Sequence, residues 1–457
     1  MKNVRTARDI AVEALRDRLG NVTAHLDRLV DRSPLSQADR GLARELALGV
    51  LRRRETLRMV IRAFLRQPDH TMPGPVNEIL LVGAYQILFL DRIPAFAAVN
   101  EAVEQAARFH HRRQQGFVNG VLRSISREIG EIETGVFSPG ENVLPISASS
   151  WRKFTRPVFA NPSTLPERHL SEAFSLPMVL AERWIGQYGK KKAMGIAFHA
   201  NTRAPLILRV NRLKTDVPSV VLALEKAGVQ AKPHANGISV VTDDTTNILE
   251  TQEFRLGMLQ PQDPTASAVS ISLDPRNGMN VLDFCAAPGT KTTHIAELMN
   301  NTGSITAMDV NEDKIARITQ NTRRMGVDIV RTMLAESAGG LEIGSFHRVL
   351  VDVPCSNTGV LARRPEARWR FDIKAMNKVS ADQRTLAQMA VMFCAPGGKF
   401  VYSTCSIERE ENERNVQFLR DKHPNLELIE QKLTLPGGVD DPTRWHDGGF
   451  YAIFAVH

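Results

Sequence analysis

The chain has 457 residues, too many for one ordinary core, and at the rough prior of ~150 residues per domain about three domains are expected. With 43% hydrophobic and 24% charged residues, and no internal repeat or low-complexity tract, its composition excludes a disordered or fibrous protein. Lys and Arg number 58 against 50 Asp and Glu, and the formal charge of +8 favours a polyanionic partner.

The N-terminus carries Lys2, Arg5, Arg8 and Asp9 with no apolar segment, so no secretory signal is expected. From Thr6 to about Arg127 the apolar residues recur at helical spacing. VEALRDRL places Val12, Leu15 and Leu19 on one face, and LARELALGVLRRRETLRMVIRAFL repeats the period, which predicts an all-α domain over residues 1–130. The longest apolar run, ILLVGAYQILFL at 79–90, falls short of the ~18 residues that span a bilayer and contains Gln86. It is predicted to be a core helix, and no membrane partner is expected. The charged face is basic, with Arg52, Arg53, Arg54, Arg58, Arg62 and Arg66, then His110, His111, Arg112 and Arg113. On these residues alone a solvated helix surface and an RNA-binding face both stand open. DRGLARELALGVLRR, LVGAYQILFLDRIPAFAAVNEAVEQA and GFVNGVLRSI resemble the NusB domain in wording and in order, over most of residues 5–127. That resemblance implies that the basic face binds RNA.

Residues 131–150, EIETGVFSPGENVLPISASS, lose the periodicity and gather Gly, Pro and Ser, which predicts a linker. An amphipathic helix around LPMVLAERWIGQYG follows, then the strand LILRVN, a helical SVVLALEKAG and short strands near 230–242; this predicts a small α+β module over 151–258. From Leu259 the pattern alternates. Apolar strands are expected at 279–284, 304–309, 347–353 and 399–404, helices at about 291–300, 311–325, 378–394 and 409–421, and a closing strand in GGFYAIFAV. Such alternation predicts a doubly wound, mostly parallel, Rossmann-like α/β domain over 259–457, with ligands beyond the carboxyl ends of its strands.

The stretch VLDFCAAPGTKTTHIAEL at 281–298 reads as a buried strand, a tight loop of small residues and a helix start, which is the outline of a cofactor cradle. It lacks both G-x-G-x-x-G and a phosphate-binding Gly-Lys-[Ser/Thr], since Thr290 separates Gly289 from Lys291, so neither a dinucleotide nor a nucleoside triphosphate fits. Asp309 ends the next strand, near the ~20-residue spacing at which an acidic residue meets ribose hydroxyls, so an adenosine-containing ligand does fit.

Three of the four cysteines fall at strand ends: Cys285, Cys355 in VDVPCSNTG beside Asp352, and Cys405 in VYSTCSIEREENE; Cys394 is expected inside a helix as a small buried hydrophobe. None has C-x-x-C spacing, so no metal site is expected and a reducing, cytoplasmic compartment is. Two thiols and a carboxylate beside an adenosine pocket suit methylation of carbon 5 of cytosine. That carbon is a poor nucleophile until a thiolate adds at carbon 6 and a carboxyl group at ring nitrogen 3 stabilises the developing charge; afterwards a base must remove the carbon 5 proton.

DFCAAPGTKTTHI, VDVPCSNTGVLARRPEARWR, VYSTCSIEREENE and LQPQDPTASAVS resemble the motifs of the Sun-type RNA cytosine-5 methyltransferases. With the NusB-like front end, the whole chain is similar to their bacterial RsmB branch. The resemblance implies methylation of one cytosine in small-subunit ribosomal RNA by a monomer, with the module at 151–258 helping to recognise RNA. It implies that Cys405 is the nucleophile, Cys355 the thiol needed for release and Asp352 the group facing nitrogen 3. It further implies that S-adenosylmethionine is held by Cys285, Ala286, Ala287, Pro288, Gly289, Thr290 and Lys291, together with Asp309, Lys314 and Asp352. Two departures stand out. The family loop reads Pro-Gly-Gly-Lys where this chain has the β-branched Thr290, and Glu336 stands in the segment 333–340 where the family has an Asp near adenine. The catalytic motifs do not encode the target, so a transfer RNA substrate stays open; an RNA-binding assembly factor with an idle methyltransferase domain is disfavoured by the intact Asp352, Cys355 and Cys405.

Overall fold

The computed structural model describes residues 6–17, 22–67, 72, 74–244 and 247–457; Lys2, Arg5 and Leu19, named above, lie outside these. The chain divides into two compact units, Met1–Thr202 with Leu361–Phe371, and Arg203–Val360 with Asp372–His457.

In the first unit the helical periodicity becomes helices at Ala7–Leu15, Val22–Asp31, Gln37–Ala63, Gly74–Phe89, Ala95–Arg108 and Gln115–Glu128. Thr6 opens the first with a reciprocal cap, its hydroxyl accepting the Asp9 N–H while the Asp9 carboxylate accepts the Thr6 N–H. Gly74–Phe89 is the core helix the apolar run predicts, buried along most of its length. It lies so close to Gln37–Ala63 that a Cβ on Gly49 would fall inside the Tyr85 ring. No helix among the described residues is long and apolar enough to cross a membrane.

The basic face loses one member. Arg53 is turned inward at a break in its helix, donates to the carbonyls of Pro145 and Ile146 at 3.0 Å each, and lies over the Phe89 ring. Arg58, Arg62 and Arg66 stay exposed. The predicted linker also differs from expectation: Glu133–Thr134, Ser150–Lys153 and Val143–Ser147 form a small antiparallel sheet in that order, with Val143 and Leu144 buried. Strands this short leave no periodicity to read. The helix Met178–Asn201, expected in the small module, belongs to the first unit, and so does Leu361–Phe371. In that segment Arg368 is wholly buried and donates to the carbonyls of Arg52, Ser175 and Ala200 and to the Asn201 side chain.

The second unit holds two sheets. The smaller is antiparallel, in the order Lys232–Pro233, Ser239–Thr242, Leu206–Val210, Leu259–Pro261, and its last strand is recruited from residues expected to open the methyltransferase domain because Leu259 buries against Leu208 and Val210. The larger has seven strands, β1 (Asn280–Asp283), β2 (Ser304–Asp309), β3 (Val330–Leu334), β4 (Phe346–Asp352), β5 (Cys394–Thr404), β6 (Leu426–Thr434) and β7 (Gly449–Val456). Their order is β3-β2-β1-β4-β5-β7-β6; β1 to β5 are parallel, and β7 runs antiparallel to both of its neighbours. Helices α1 (Thr290–Leu298), α2 (Glu312–Met325), α3 (Ile373–Val391) and α4 (Glu413–Lys422) connect them.

Successive residues of the central strands enter opposite cores. Leu282, Val349, Val351, Phe400 and Tyr402 pack on one side of the sheet, and Val281, Leu350 and Val401 on the other. Burial on both faces is what makes these strands read as continuous apolar runs. Cys394 corrects the sequence reading: it is the first residue of β5, paired with Phe346, and not part of a helix. The helix stops at Val391 because Pro396 and the left-handed Gly397 follow, and the register shifts before Lys399 pairs with Arg348.

Candidate active site

The strand order reverses between β1 and β4, and the reactive groups gather at the carboxyl ends on either side of that point. At the end of β1, Asp283 is buried; its Oδ2 accepts the Thr292 hydroxyl at 2.7 Å and its Oδ1 has no protein partner. Burial, against the pull of the Thr292 hydroxyl and aided by the charge of Asp352, pushes its pKa up to about 7.

The loop from Cys285 to Gly289 then bends sharply, through a cis peptide between Ala287 and Pro288. Gly289 is required at its place: its φ is +93, and a Cβ there would approach the Ile318 Cα to 3.3 Å. Thr290 is not so constrained. It is the first residue of α1, with helical backbone open to any residue, and its carbonyl accepts from Arg209 at 3.0 Å. Burial, and then the charges of Asp309, Asp283 and Asp352, push the Cys285 thiol strongly upward.

Asp309, at the end of β2, accepts the N–H groups of Ala287 at 2.9 Å and Val310 at 2.8 Å and pairs with the Lys314 ammonium at 2.8 Å. The residue whose spacing suggested a ribose contact thus also ties the cradle loop to β2. Glu336 is exposed in the 3-10 turn Ala335–Gly340 beyond β3.

Across the switch point Lys291 donates to Asp352 Oδ2 at 2.5 Å, and the Ser403 hydroxyl donates to Asp352 Oδ1 at 2.7 Å. Burial acts to lower the Lys291 pKa, but the attraction of Asp352 outweighs it and the net direction is up. Cys355 and Cys405, on the ends of β4 and β5, bring their sulfur atoms to 3.1 Å. The hydrogen bond with Cys405 and then burial raise the Cys355 pKa well above the ordinary thiol range.

Several residues that build this site were not singled out by the sequence. The buried Glu411 carboxylate accepts the Ser356 N–H and the Gln383 amide at 2.9 Å each and the Ser406 hydroxyl at 3.0 Å, so one carboxylate braces both thiol-bearing loops. Gly359 donates its N–H to the Cys405 carbonyl at 3.0 Å. Asn357 contacts both cysteines. From the smaller sheet Arg209 pairs with Glu297, both 1% exposed, and donates to the Thr293 hydroxyl and the Gln262 side chain, pinning the start of α1. Glu411 lies inside the EREENE run and the Arg209 contact spans the small sheet and α1; what each does depends on partners distant in the sequence. Cys394 takes no part, being at the opposite end of β5.

A family model for the 16S rRNA methyltransferase RsmB/F matches residues 270–446, the NusB family matches 5–127, and the ferredoxin-like domain of RsmF/B-type methyltransferases matches 176–243. The protein named "Probable ribosomal RNA small subunit methyltransferase B" in Bacillus subtilis (strain 168) is 32% identical over 429 residues, covering 92% of this chain and 90% of its own. The chain belongs to the RsmB/F family. Ribosomal RNA small subunit methyltransferase B of Yersinia pestis is 30% identical over 460 residues, covering 99% of this chain and 98% of its own. Among solved structures, that of PH0851 is similar with a TM-score of 0.74 at 24% identity, over 98% of both chains. A methyltransferase homolog protein from Pyrococcus horikoshii has a TM-score of 0.54 at 29% identity, over 65% of this chain and all of that one. NSun6 from Pyrococcus horikoshii with SFG has a TM-score of 0.54 at 22% identity, over 61% of this chain and 98% of its own. The RsmB/F family is S-adenosylmethionine-dependent, and its fold is the helical NusB domain, small sheet module and mixed α/β sheet described above.

Proposed function

We propose that this chain methylates carbon 5 of one cytosine in 16S ribosomal RNA through a covalent bond between Cys405 and carbon 6 of the base. The observation that carries this reading is the 3.1 Å approach of Cys355 and Cys405 on adjacent strand ends, with Asp352 held beside them by Lys291 and Ser403. Addition of the Cys405 sulfur makes carbon 5 nucleophilic. The Asp352 carboxyl meets ring nitrogen 3 as charge develops there, and Lys291 behind it can return a proton to the carboxylate. After methyl transfer Cys355 takes the carbon 5 proton as a thiolate, the electron pair of the carbon 5 to hydrogen bond restores the ring double bond, and the pair of the carbon 6 to sulfur bond leaves on Cys405.

S-adenosylmethionine supplies the electrophilic methyl group when bound. The residues present fit it: residues 285–291 leave a small-residue loop and a helix start, Asp309 is at the β2 end for ribose hydroxyls, and Asp283 offers a buried oxygen without a protein partner to a cationic ligand. Lys314, paired with Asp309, completes that wall. The cytosine has to leave its stack to reach the sulfurs, so the RNA must be gripped elsewhere. We assign that grip to the NusB-like domain, residues 1–130, and to the module at 151–258, with catalysis in 259–457, in a monomeric cytoplasmic enzyme.

Mapping 5-methylcytosine in 16S rRNA from cells with and without this protein tests the reading. One position should lose its methyl group and regain it when purified protein and S-adenosylmethionine are added. An unchanged 16S rRNA, with the loss in a transfer RNA, would overturn the substrate assignment.

A further inference from the structure

One side chain links the Cys405 thiol to the backbone of Cys355. Asn357 lies in the turn between Cys355 and the 3-10 turn Thr358–Val360, with φ +63, in the left-handed region that asparagine tolerates better than most residues. Its Oδ1 accepts the Cys405 thiol hydrogen at 3.3 Å, and its Nδ2 donates to the Cys355 carbonyl at 2.8 Å. A peptide carbonyl can only accept, so turning the amide over would set two oxygens face to face. Cys405 therefore meets the oxygen of this amide and not its N–H. A cysteine has a single side-chain torsion to fix, and this contact fixes it. Glycine would satisfy the backbone at this place equally well, so the amide supplies the bridge rather than the turn.

Resting on the reading of Cys405 as nucleophile, we infer that Asn357 is a positioning residue for the reaction. It holds the Cys405 thiol in the rotamer from which carbon 6 is reached, and it ties that rotamer to the backbone of the Cys355 loop. The spacing of attacking and releasing sulfurs is thereby set before RNA arrives. Glu411 fixes the loops from behind through Ser356 and Ser406, whereas Asn357 acts on the sulfur itself.

The full-length enzyme provides the test, using Asn357→Gly, which keeps the left-handed backbone, and Asn357→Asp, which keeps an oxygen toward Cys405 but loses the donor to Cys355. Iodoacetamide labelling of Cys405 is followed by peptide mass spectrometry, and single-turnover methyl transfer by tritium from labelled S-adenosylmethionine to a 16S rRNA transcript. In Asn357→Gly, labelling should be about fivefold faster, the scale of one neutral hydrogen bond lost, while transfer slows roughly tenfold with the KM for S-adenosylmethionine unchanged. In Asn357→Asp, labelling should stay at or below the wild-type rate and transfer should exceed that of the glycine variant. Wild-type rates in Asn357→Gly, an aspartate variant indistinguishable from it, or a KM that rises as much as transfer falls would each overturn the inference. Methyl transfer that survives Cys405→Ala would instead overturn the reading on which it rests.

Discussion

Two thiol settings share the carboxyl edge of one sheet, and they are built in opposite ways. Cys285 sits in the cradle loop, where burial first, and then the charges of Asp309, Asp283 and Asp352, push its thiol upward and keep it neutral. Cys355 and Cys405 face each other instead, and are enclosed by Asn357, Ser406 and Glu411. The same residue type at the same kind of strand end is thus proposed as a wall in one setting and as chemistry in the other. What distinguishes the two settings is the second sulfur at 3.1 Å, not the strand-end position.

The contrast is broken most severely at Cys405. Cys405→Ala should reduce methyl transfer to background while leaving S-adenosylmethionine affinity at the wild-type level; residual transfer above that of a no-enzyme control would return Cys405 to the status of its cradle counterpart. In the cradle, Asp309→Ala removes a carboxylate that ties the loop together and that we propose for the ribose hydroxyls. Its dissociation constant for S-adenosylmethionine should rise by ~2 kcal/mol or less, roughly thirtyfold, by calorimetry; unchanged affinity would mean the pocket lies elsewhere.

Asp283 gives the cradle a pH signature. Its folded pKa is raised to about 7 by burial, so the folded chain keeps a proton that the unfolded chain gives up near the ordinary carboxyl range. This group's contribution to stability should therefore fall as the pH rises from about 4 to about 7. In thermal melts of the ligand-free protein, Asp283→Asn should lose less stability than the wild type over that window; parallel curves would contradict the assignment. The smallest effect is expected at Cys285 itself: Cys285→Ala should alter S-adenosylmethionine affinity by about twofold or less, because a neutral wall thiol offers packing and little else.

The same two settings show what a sequence can and cannot reveal. Strands β1, β2, β4 and β5 are legible because each is buried on both faces, as VLDF, SITAMD and KFVYST record. β3 and β6 are the sheet's edges, and residues such as Arg331, Glu427, Glu430 and Gln431 dilute their apolar signal, so both go beyond the strands predicted. Cys355, Cys405, Asp352 and Asp309 could be picked out as candidates because each stands at or just beyond the end of an apolar run. Asn357, Glu411 and Arg209 were not, because what distinguishes them is a long-range partner: Cys405 for Asn357, Ser356 for Glu411, Glu297 for Arg209.

The central claim is that the facing thiols do different work, one attacking and one releasing. It is tested most directly by incubating each cysteine variant with labelled RNA and S-adenosylmethionine and running a denaturing gel. Cys355→Ala should give a slow-migrating, RNase-sensitive band, protein held to methylated RNA through Cys405, and neither Cys405→Ala nor the double variant should give one. An adduct that survives the loss of Cys405 and vanishes with Cys355 would contradict the account and exchange the two roles.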